Sequence, residues 1–388
     1  MRAMNVNVLN GVLNGTRQTP HVAFRGIALP RDLSTFPQSE PPSCSRPSFA
    51  TSGGPLLVRC PASAQMKDSS VGVPPILHFV YGLKVNASFG FVQYAAVASA
   101  LAVHRPESVY FHYFFSPQDT AFWRAVLPFL SLVRHTPEEV TRESAACLSH
   151  HAHLADWLRL RELNEHGGLY LDMDSFSLAP LPPQLLAGSA FVIAKQLASP
   201  WVRDKVPPCV PLPVGGAPSQ RPNDNASQTW SCGNSTQSLR AHRGLCNAVM
   251  AGAPASRFGT HWFAQYAHFR SIGKDVYWDE HSVVLPARLW ERCDELRPEV
   301  TVLPSRAFFP FYWPEAARLL RSNWTNSSAR ILEGSYVMHL WGDGAAALIG
   351  QPEPPRHPAQ TCSAAFARTL YGHLACRYAG GMNARVGR

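Results

Sequence analysis

The sequence lacks a long, uninterrupted hydrophobic run. Its longest apolar stretch extends from Phe91 to Val103. Three residues interrupt it, namely Gln93, Tyr94 and Ser99. A helix that crosses a bilayer needs roughly 18 or more apolar residues in succession, so we expect this stretch to form a buried helix instead. A membrane anchor, if the protein has one, is expected outside these 388 residues.

Lysine is scarce, although the formal net charge is +9. The 35 basic residues include only five lysines, and the arginines are scattered along the chain. Binding of nucleic acid needs a contiguous basic stripe, often with interleaved aromatic residues, and the sequence contains none. We therefore expect no nucleic-acid partner. The positive charge is compatible with attraction of a small anion such as a nucleotide diphosphate.

CxxC pairs are also absent, which argues against a zinc site built on paired cysteines. The nine cysteines occur singly, and six N-x-S/T sequons accompany them, at Asn14, Asn86, Asn225, Asn234, Asn323 and Asn326. Cysteines together with sequons favour an oxidising compartment. We expect the protein in the secretory pathway, in the Golgi lumen. The disulfide connectivity stays open.

Residues 1–73 differ from the rest of the chain. They are rich in Ser, Pro, Arg and Gly, and they contain few acidic residues. Such a composition buries too little apolar surface to offset the entropy of ordering, so we expect disorder and place the segment outside the fold. A stem, a wrongly assigned first exon and a transit peptide are the alternatives. A transit peptide would direct the protein to a plastid or another organelle.

The ordered chain begins at Pro74 with an alternation of strands and helices. The segment PPILHFVYG, residues 74–82, predicts a buried strand. A helix over 89–104, a strand over 108–115, a helix over 119–130 and a short strand near Leu132 follow. This alternation predicts an α/β fold with parallel βαβ units. Prolines mark a long loop from about 200 to 245, and a second α/β portion is expected from about 245 to 341.

The segment HLADWLRLRELNEHGGLYLDMDS, residues 153–175, predicts a helix, a glycine turn and a strand. Asp156 and Arg159 are three positions apart, so they lie on one face of the helix. Gly167 and Gly168 end the helix, because a helix C-terminus often adopts a conformation that disfavours a Cβ. We expect the helix to run from about 149 to 166.

Two carboxylates follow the apolar strand of this segment. Asp172 and Asp174 are two positions apart, so they point the same way from a strand. Paired carboxylates at the carboxyl end of a strand suit a hard divalent cation that also binds phosphate oxygens. Such a cation would neutralise the charge that grows on a diphosphate leaving group. A lone D-x-D is a weak signal, but the compound pattern with D-x-x-R, helix and glycine pair is specific.

This segment resembles the sugar-binding region of glycosyltransferase family 32, which includes α-1,4-galactosyltransferase-like and initiation mannosyltransferase-like enzymes. Residues 74–82, CNAVMAGAP (246–254), VTVLPSRAFFPFYW (300–313) and YVMHLWGDG (336–344) fit the same resemblance. The resemblance implies a GT-A-type nucleotide-diphospho-sugar transferase fold, with a Rossmann-like mixed sheet flanked by helices. It also implies Mn²⁺ or Mg²⁺ as cofactor and retaining transfer of a hexose from a UDP- or GDP-sugar to a glycan, glycolipid or glycoprotein.

The resemblance further assigns roles to individual residues. Asp174 would be the main metal ligand, and Asp172 would contact both ribose and metal. The remaining donor-binding positions are Asp156, Arg159, Tyr170, Asn247, His339 and Trp341. The catalytic domain would span residues 74–344, followed by a tail over 345–388. The proline-rich insertion is longer than expected for the family, which leaves the acceptor specificity open.

Plainer roles stand beside these expectations. Asp156 and Arg159 could form a helix-surface ion pair, worth only ~0.3–0.5 kcal/mol. His339 and Trp341 could be core residues, and we expect His78 to be a hydrogen-bonded core histidine. A phosphatase of the haloacid-dehalogenase type also carries D-x-D, but Phe176 stands where it has Thr or Val. A catalytically degenerate glycan-binding protein of the same fold stays open.

Overall fold

The computed structural model describes twelve stretches of the chain: residues 56–61, 72–144, 148–196, 209–211, 229–232, 244–273, 275–311, 322–323, 325, 330–342, 355–363 and 366–386. Most of the proline-rich insertion predicted for 200–245 lies outside these residues, as do residues 1–55 and the sequons at Asn14, Asn225, Asn234 and Asn326. No helix among the described residues is both long enough and apolar enough to span a membrane.

Twelve strands are present in the described part of the chain. They are β1 (Leu56–Arg59), β2 (Ile76–Val80), β3 (Ser108–Tyr113), β4 (Ser131–Arg134), β5 (Gly168–Leu171), β6 (Ser175–Ser177), β7 (Phe191–Gln196), β8 (Cys209–Pro211), β9 (Thr229–Cys232), β10 (Gly244–Gly252), β11 (Val300–Leu303) and β12 (Val337–His339).

Eight α-helices are described. They are α1 (Phe91–His104), α2 (Ala121–Val126), α3 (Pro137–Ser144), α4 (His151–His166), α5 (Pro183–Gly188), α6 (Arg257–Ala264), α7 (Leu285–Arg292) and α8 (Leu370–Val386). A π-helical segment, Glu280–Val284, leads directly into α7. The predicted helices over 89–104 and 149–166 are thus present as α1 and α4, each starting two residues later than expected.

Seven strands form the central sheet in the order β11-β7-β10-β5-β2-β3-β4. Neighbouring strands pair in parallel except where β10 runs antiparallel to both β5 and β7. The mixed sheet confirms the predicted α/β fold class and is the architecture that the GT-A resemblance implies. In α/β sheets ligands bind beyond the carboxyl ends of the parallel strands, which here include the end of β5.

Side chains of the sheet alternate between two apolar layers. Leu77 and Phe79 of β2 pack on the face that carries α1, α2 and α8, whereas Val80 packs on the face that carries α4, α6 and α7. Both faces of the sheet are therefore covered, as is usual for largely parallel sheets. This double coverage explains why β5 and β10 are buried along their whole length.

The amino-terminal part of the fold begins earlier than the sequence indicated. Strand β1 pairs with β9, and a disulfide joins Cys60 to Cys293. The boundary predicted at residue 74 therefore leaves out a four-residue strand that belongs to the folded part. So short a strand carries little periodicity, and its partner strand lies far along the chain, which is why the composition of the segment concealed it.

The carboxyl-terminal part of the chain contains helix α8, which packs on the core. Tyr371 contacts Phe91 and Phe176, with ring centroids 5.9 and 5.7 Å apart. The Tyr378 hydroxyl donates a hydrogen bond to the Leu178 carbonyl at 2.8 Å. A second disulfide joins Cys362 to Cys376 at the start of this helix. The segment predicted as a tail therefore covers one face of the sheet.

Candidate functional site

The first aspartate of the DMD segment is fixed where β5 ends. The Asp172 amide donates to the Ala248 carbonyl of β10 at 2.9 Å, and the Asp172 carbonyl accepts from the Ser175 amide at 2.9 Å. The second bond closes a tight turn between β5 and β6. Backbone contacts on both sides thus determine the direction of this side chain.

The second aspartate is fixed by a different part of the chain. The Asp174 carbonyl accepts from the Leu340 amide at 2.8 Å, and β6 pairs antiparallel with β12 so that Ser175 lies opposite His339. The pairing of β6 with β12 therefore places an imidazole next to the two carboxylates, although His339 lies far along the chain.

The three side chains converge. His339 Nε2 lies 3.0 Å from Asp174 Oδ1 and 3.6 Å from Asp172 Oδ2. Burial alone would lower the pKa of His339, but the negative charges of Asp174 and Asp172 outweigh it and raise the pKa to about 9. The raised pKa favours a protonated imidazole beside the two carboxylates.

Helix α4 supplies a buried arginine behind the first aspartate. Arg159 Nη1 lies 2.9 Å from Asp172 Oδ1, and the Arg159 side chain is only 6% exposed. Burial disfavours ionisation of Asp172, but the guanidinium and His339 outweigh it and hold the pKa of this carboxyl below its usual range. Asp156 and Arg159 are both buried, so the plainer expectation of a surface ion pair is wrong.

Asn247 connects Arg159 to Asp156, the other polar residue that helix α4 supplies to the site. Its Nδ2 donates to Asp156 Oδ1 at 2.7 Å, and its backbone and side-chain oxygens accept from Arg159 Nη1 at 3.0 and 3.2 Å. The pairing of β10 with β7 shifts in register between Cys246 and Met250, and an irregularity of this kind can redirect side chains. Burial raises the pKa of Asp156, so the amide and guanidinium donors are needed to hold its charge.

Tyr170 braces the same aspartate from within β5. Its hydroxyl donates to Asp172 Oδ1 at 2.6 Å, and the Arg159 guanidinium carbon lies 4.6 Å from the centre of its ring. The tyrosine is almost fully buried, at 1% exposure. Asp172 Oδ1 therefore has two donors that hold it in place, while Oδ2 faces His339.

Trp341 lies beside the imidazole in a strained backbone conformation. Its φ angle is +54°, a region that large side chains rarely adopt. The Trp341 ring lies 4.7 Å from that of His339, and its indole N–H donates to the Phe311 carbonyl at 3.2 Å. Strain of this kind concentrates at ligand sites. The side chain is partly exposed.

The site has an accessible and an inaccessible part. The side chains of Asp172 and Asp174 are 23% and 21% exposed, whereas those of Arg159 and Asp156 are 6% and 10% exposed. A ligand arriving from solvent meets the two aspartates first. The predicted direct contacts of Arg159 and Asp156 with a donor stay predictions, because in this structure their polar atoms bind protein groups.

The donor set fits a divalent cation. Ligating atoms of Asp172, Asp174 and His339 all lie within 4.8 Å of one another. Two carboxylate oxygens and one imidazole nitrogen suit ions such as Mn²⁺. The sequence identified the two aspartates as candidate ligands but assigned His339 to donor binding. The H-x-W motif around His339 does not predict that β12 pairs with β6, and it is this pairing that brings His339 to the aspartates.

Other buried or clustered histidines lie apart from Asp172, Asp174 and His339. His78 is a buried, hydrogen-bonded core histidine, as expected. His153 packs against Trp278 and Phe269, with ring centroids 4.6 and 4.8 Å apart. Among the described residues, the triplet His150, His151 and His153 forms no group close enough to hold an ion.

Fold and site together define an α/β protein with a group of candidate metal ligands at the carboxyl end of a strand. Two protein-family models match the chain. A glycosyltransferase sugar-binding region containing the DXD motif covers residues 103–192. An alpha 1,4-glycosyltransferase conserved region covers residues 282–353. The first model includes Asp156, Arg159, Tyr170 and the two aspartates, and the second includes His339.

The sequence is also similar to curated and solved proteins. Glucan organizing enzyme 1 of Cryptococcus neoformans var. grubii serotype A is 29% identical over 303 residues, which cover 76% of this chain and 69% of that protein. The galactosyltransferase LgtC, solved with donor and acceptor sugar analogues, aligns at 16% identity and a TM-score of 0.31, covering 79% of this chain and 95% of LgtC. The bifunctional glycosyltransferase WbbM aligns at 9% identity and a TM-score of 0.35, covering 74% and 51%.

These matches confirm the resemblance inferred from the sequence. Residues 103–192 match the DXD sugar-binding region and residues 282–353 match the α-1,4-glycosyltransferase conserved region, and both matches support a glycosyltransferase. The likenesses to solved structures have low TM-scores and add nothing to this, since the fold class rests on the sheet topology. Asn247 lies outside both matched regions, and its hydrogen bonds to Asp156 and Arg159 connect it to the site.

Proposed function

We propose that this protein is a metal-dependent, retaining hexosyltransferase. It would move a hexose from a UDP- or GDP-sugar to a hydroxyl of a glycan, glycolipid or glycoprotein. The observation that supports this most directly is the convergence of Asp172, Asp174 and His339 at the partly exposed end of β5. A nucleotide-sugar presents a diphosphate, and this end of the sheet is where α/β folds bind phosphates.

The cofactor in this proposal is Mn²⁺, with Mg²⁺ as the alternative. Asp172, Asp174 and His339 would hold it. When bound, the ion would neutralise the negative charge that grows on the departing diphosphate. His339 would have to release its proton to become a ligand, because only the neutral imidazole coordinates a metal.

Residues of the chain itself would keep the first aspartate ready for the donor. Arg159 and Tyr170 hold Asp172 Oδ1, which leaves Oδ2 turned towards His339. Asn247 and Asp156 in turn hold the guanidinium. A carboxylate fixed by two donors loses little conformational entropy on ligand binding, and this preorganisation supports a catalytic role.

Retention of the anomeric configuration is part of the proposal. The matched α-1,4-glycosyltransferase region supports it, since nucleotide-hexoses of the α series would then give α-linked products. The bond from the anomeric carbon to the diphosphate oxygen would break, the acceptor oxygen would bond on the same face, and the acceptor proton would leave with the diphosphate. NMR of the product tests this: an inverted anomer would refute it.

The acceptor is proposed only as a class. The name of the curated relative, glucan organizing enzyme 1, supports a polysaccharide among the acceptors to be tried. The proposed location is the secretory pathway, in the Golgi lumen, with a plastid or another organelle as the alternative. Two disulfides among the described residues and the exposed sequon residue Asn86 support an oxidising lumen. Fractionation with organelle markers tests the location.

The decisive experiment is hydrolysis of a panel of UDP- and GDP-sugars with and without Mn²⁺. We expect slow, metal-dependent release of nucleotide diphosphate by the wild type and loss of it in Asp174→Ala. A matched control is Asp119→Ala, which removes an exposed carboxylate paired with Arg124. Wild-type turnover by Asp174→Ala would overturn the site.

Two other outcomes would replace the proposed function. Turnover of phosphomonoesters would favour a phosphatase, although Asp172 Oδ1 is held by Arg159 and Tyr170 rather than free to act as a nucleophile. Glycan binding without any turnover would favour a degenerate, glycan-binding member of the fold.

A further inference from the structure

A row of three buried histidines crosses the sheet on the face that carries α4. His78 lies in β2, His112 in β3, and His135 immediately follows β4. His78 Nδ1 lies 3.0 Å from His112 Nε2, and His112 Nδ1 lies 3.0 Å from His135 Nε2. Neighbouring rings are nearly parallel, with interplanar angles of 15° and 25°. His78, His112 and His135 are only 0%, 1% and 6% exposed to solvent.

The row ends on a backbone carbonyl, and this sets its hydrogen-bond direction. His78 Nε2 lies 2.8 Å from the Gly167 carbonyl oxygen. A carbonyl can only accept, so His78 Nε2 carries the hydrogen and its Nδ1, in the neutral ring, must accept. His112 must then donate from Nε2 and accept at Nδ1, and His135 must donate from Nε2. Burial lowers the pKa of His78 and His135 to about 4, which supports neutral rings.

The Gly167 carbonyl belongs to the turn that leads into the site. Gly167 and Gly168 have φ angles of +67° and +111°. A Cβ on Gly168 would lie 2.7 Å from the Ile76 carbonyl oxygen, so this turn packs directly on β2. Strand β5 follows at once and ends at Asp172. His78 also lies opposite Tyr170 in the parallel pairing, and Tyr170 donates to Asp172.

Charged groups flank the row without interrupting it. Glu162 of α4 lies 3.8 Å from His112 Nδ1 and 3.8 Å from His135 Nε2, distances too long for hydrogen bonds. Arg161 and His166 approach Glu162 at 3.9 and 3.7 Å. The short contacts within the row are therefore those between imidazoles, and they fix a single arrangement of hydrogens.

We propose that His78, His112 and His135 are positioning residues for the sugar-donor site. His112 and His135 hold His78 in its Nε2–H tautomer, and His78 holds the Gly167 carbonyl and with it the turn from which β5 carries Tyr170 and Asp172 into the site. The effect on the site rests on the proposed function, whereas the tautomer assignment does not.

The first test reads the tautomers directly. With ¹⁵N-histidine labelling of the full chain, NMR should report protonated Nε2 and unprotonated Nδ1 for all three rings at pH 7.5. A protonated Nδ1 on His78 or His112 would overturn the hydrogen-bond arrangement proposed for the histidine row. So would a bound Zn²⁺ ion that the variant His112→Gln loses, because His78, His112 and Glu162 have ligating atoms within 4.8 Å of one another.

The second test separates positioning from folding. His78→Leu removes the donor to Gly167, whereas His78→Gln keeps an N–H that can reach it. We expect Mn²⁺ affinity to fall about tenfold in the Leu variant, as for other outer residues of metal sites, and to return to within about threefold of wild type in the Gln variant. Both variants should keep a cooperative thermal transition.

Equal Mn²⁺ affinity in His78→Leu and wild type would overturn the positioning role. If the leucine variant fails to fold, failure of His78→Gln to restore wild-type affinity overturns it equally. If Mn²⁺ binding survives the Asp174→Ala substitution, the proposed metal site is wrong. The NMR result would still decide the hydrogen-bond arrangement of the histidine row.

Discussion

The guanidinium of Arg159 lies 2.9 Å from Asp172 Oδ1, so a buried arginine of helix α4 holds the aspartate at the end of β5. The same guanidinium binds Asn247 and approaches Asp156 to 3.4 Å. Buried ion pairs cost desolvation, and removal of one partner leaves the other charge uncompensated. We therefore expect replacement of Arg159 to lower both the stability and the activity of the protein.

Replacement of Arg159 by Lys is expected to lower both stability and activity. An ammonium group cannot contact Asp172 and Asn247 in the same forked geometry, so we expect a loss of about 3 kcal/mol in unfolding free energy and a fall of at least about tenfold in kcat/KM. Denaturant titration and donor hydrolysis measure the two effects. Arg124→Lys, in an exposed pair with Asp119, should change neither, and an unaffected Arg159→Lys would contradict the role.

Tyr170→Phe should weaken the site while preserving the fold. The substitution removes the hydroxyl that donates to Asp172 Oδ1 but keeps the ring beneath Arg159. A hydrogen bond to a charged group is worth about 1.5–3 kcal/mol, which corresponds to roughly ten- to a hundredfold in kcat/KM. Tyr378→Phe loses a hydrogen bond elsewhere and should keep full activity. Equal activities of the two variants would argue against bracing by Tyr170.

Gly168→Ala should destabilise the protein. Its φ of +111° disfavours any Cβ, and the new atom would lie 2.7 Å from the Ile76 carbonyl oxygen. Strain of this kind costs about 1–3 kcal/mol, visible as a lower melting temperature. Gly188→Ala is the matched control, because its Cβ meets nothing within 4 Å. A melting temperature for Gly168→Ala equal to that of the control would show that the turn is more adaptable than its contacts imply.

Stability should fall as the pH is lowered from about 6.5 to 4.5. Burial lowers the pKa of His78 and of His135 from 6.5 to about 4, so the unfolded chain takes up these protons first and the stability they contribute above pH 6.5 is lost. Glu162 acts oppositely, since burial raises its pKa from 4.5 to about 7 and its contribution grows on acidification. The pKa of His112 is lowered as well, so the effect of the three histidines exceeds the opposite effect of Glu162.

Together, His78, His112, His135 and Glu162 contribute about 1–3 kcal/mol per pH unit, since each excess proton contributes about 1.4 kcal/mol per unit. Melting temperatures between pH 7.5 and 4.5 measure it. His78→Gln should flatten the profile, because it removes one buried histidine, and Glu162→Gln should steepen it. Parallel profiles for wild type and both variants would contradict the assignment of these protons.

Much of the fold was visible in local patterns. Helix α4, the Gly167–Gly168 turn and the strand before Asp172 form one continuous segment, and each part depends on neighbours within a few positions. The alternation of strands and helices likewise predicted the α/β class. Strand β1 escaped notice because a four-residue strand has almost no pattern of its own and is fixed by pairing with β9 and by a disulfide to Cys293.

The sequence by itself determined which carboxylates end the central strand, because spacing along a strand or a helix turn directs side chains within a few residues. Only the tertiary structure decided that His339 meets those carboxylates and that Asn247, 88 positions from Arg159, fixes the guanidinium. The tertiary structure also aligned His78 of β2, His112 of β3 and His135, which follows β4. These contacts depend on strand order, on register and on the register shift in β10. Long-range strand pairing sets all three, and no local sequence pattern encodes them.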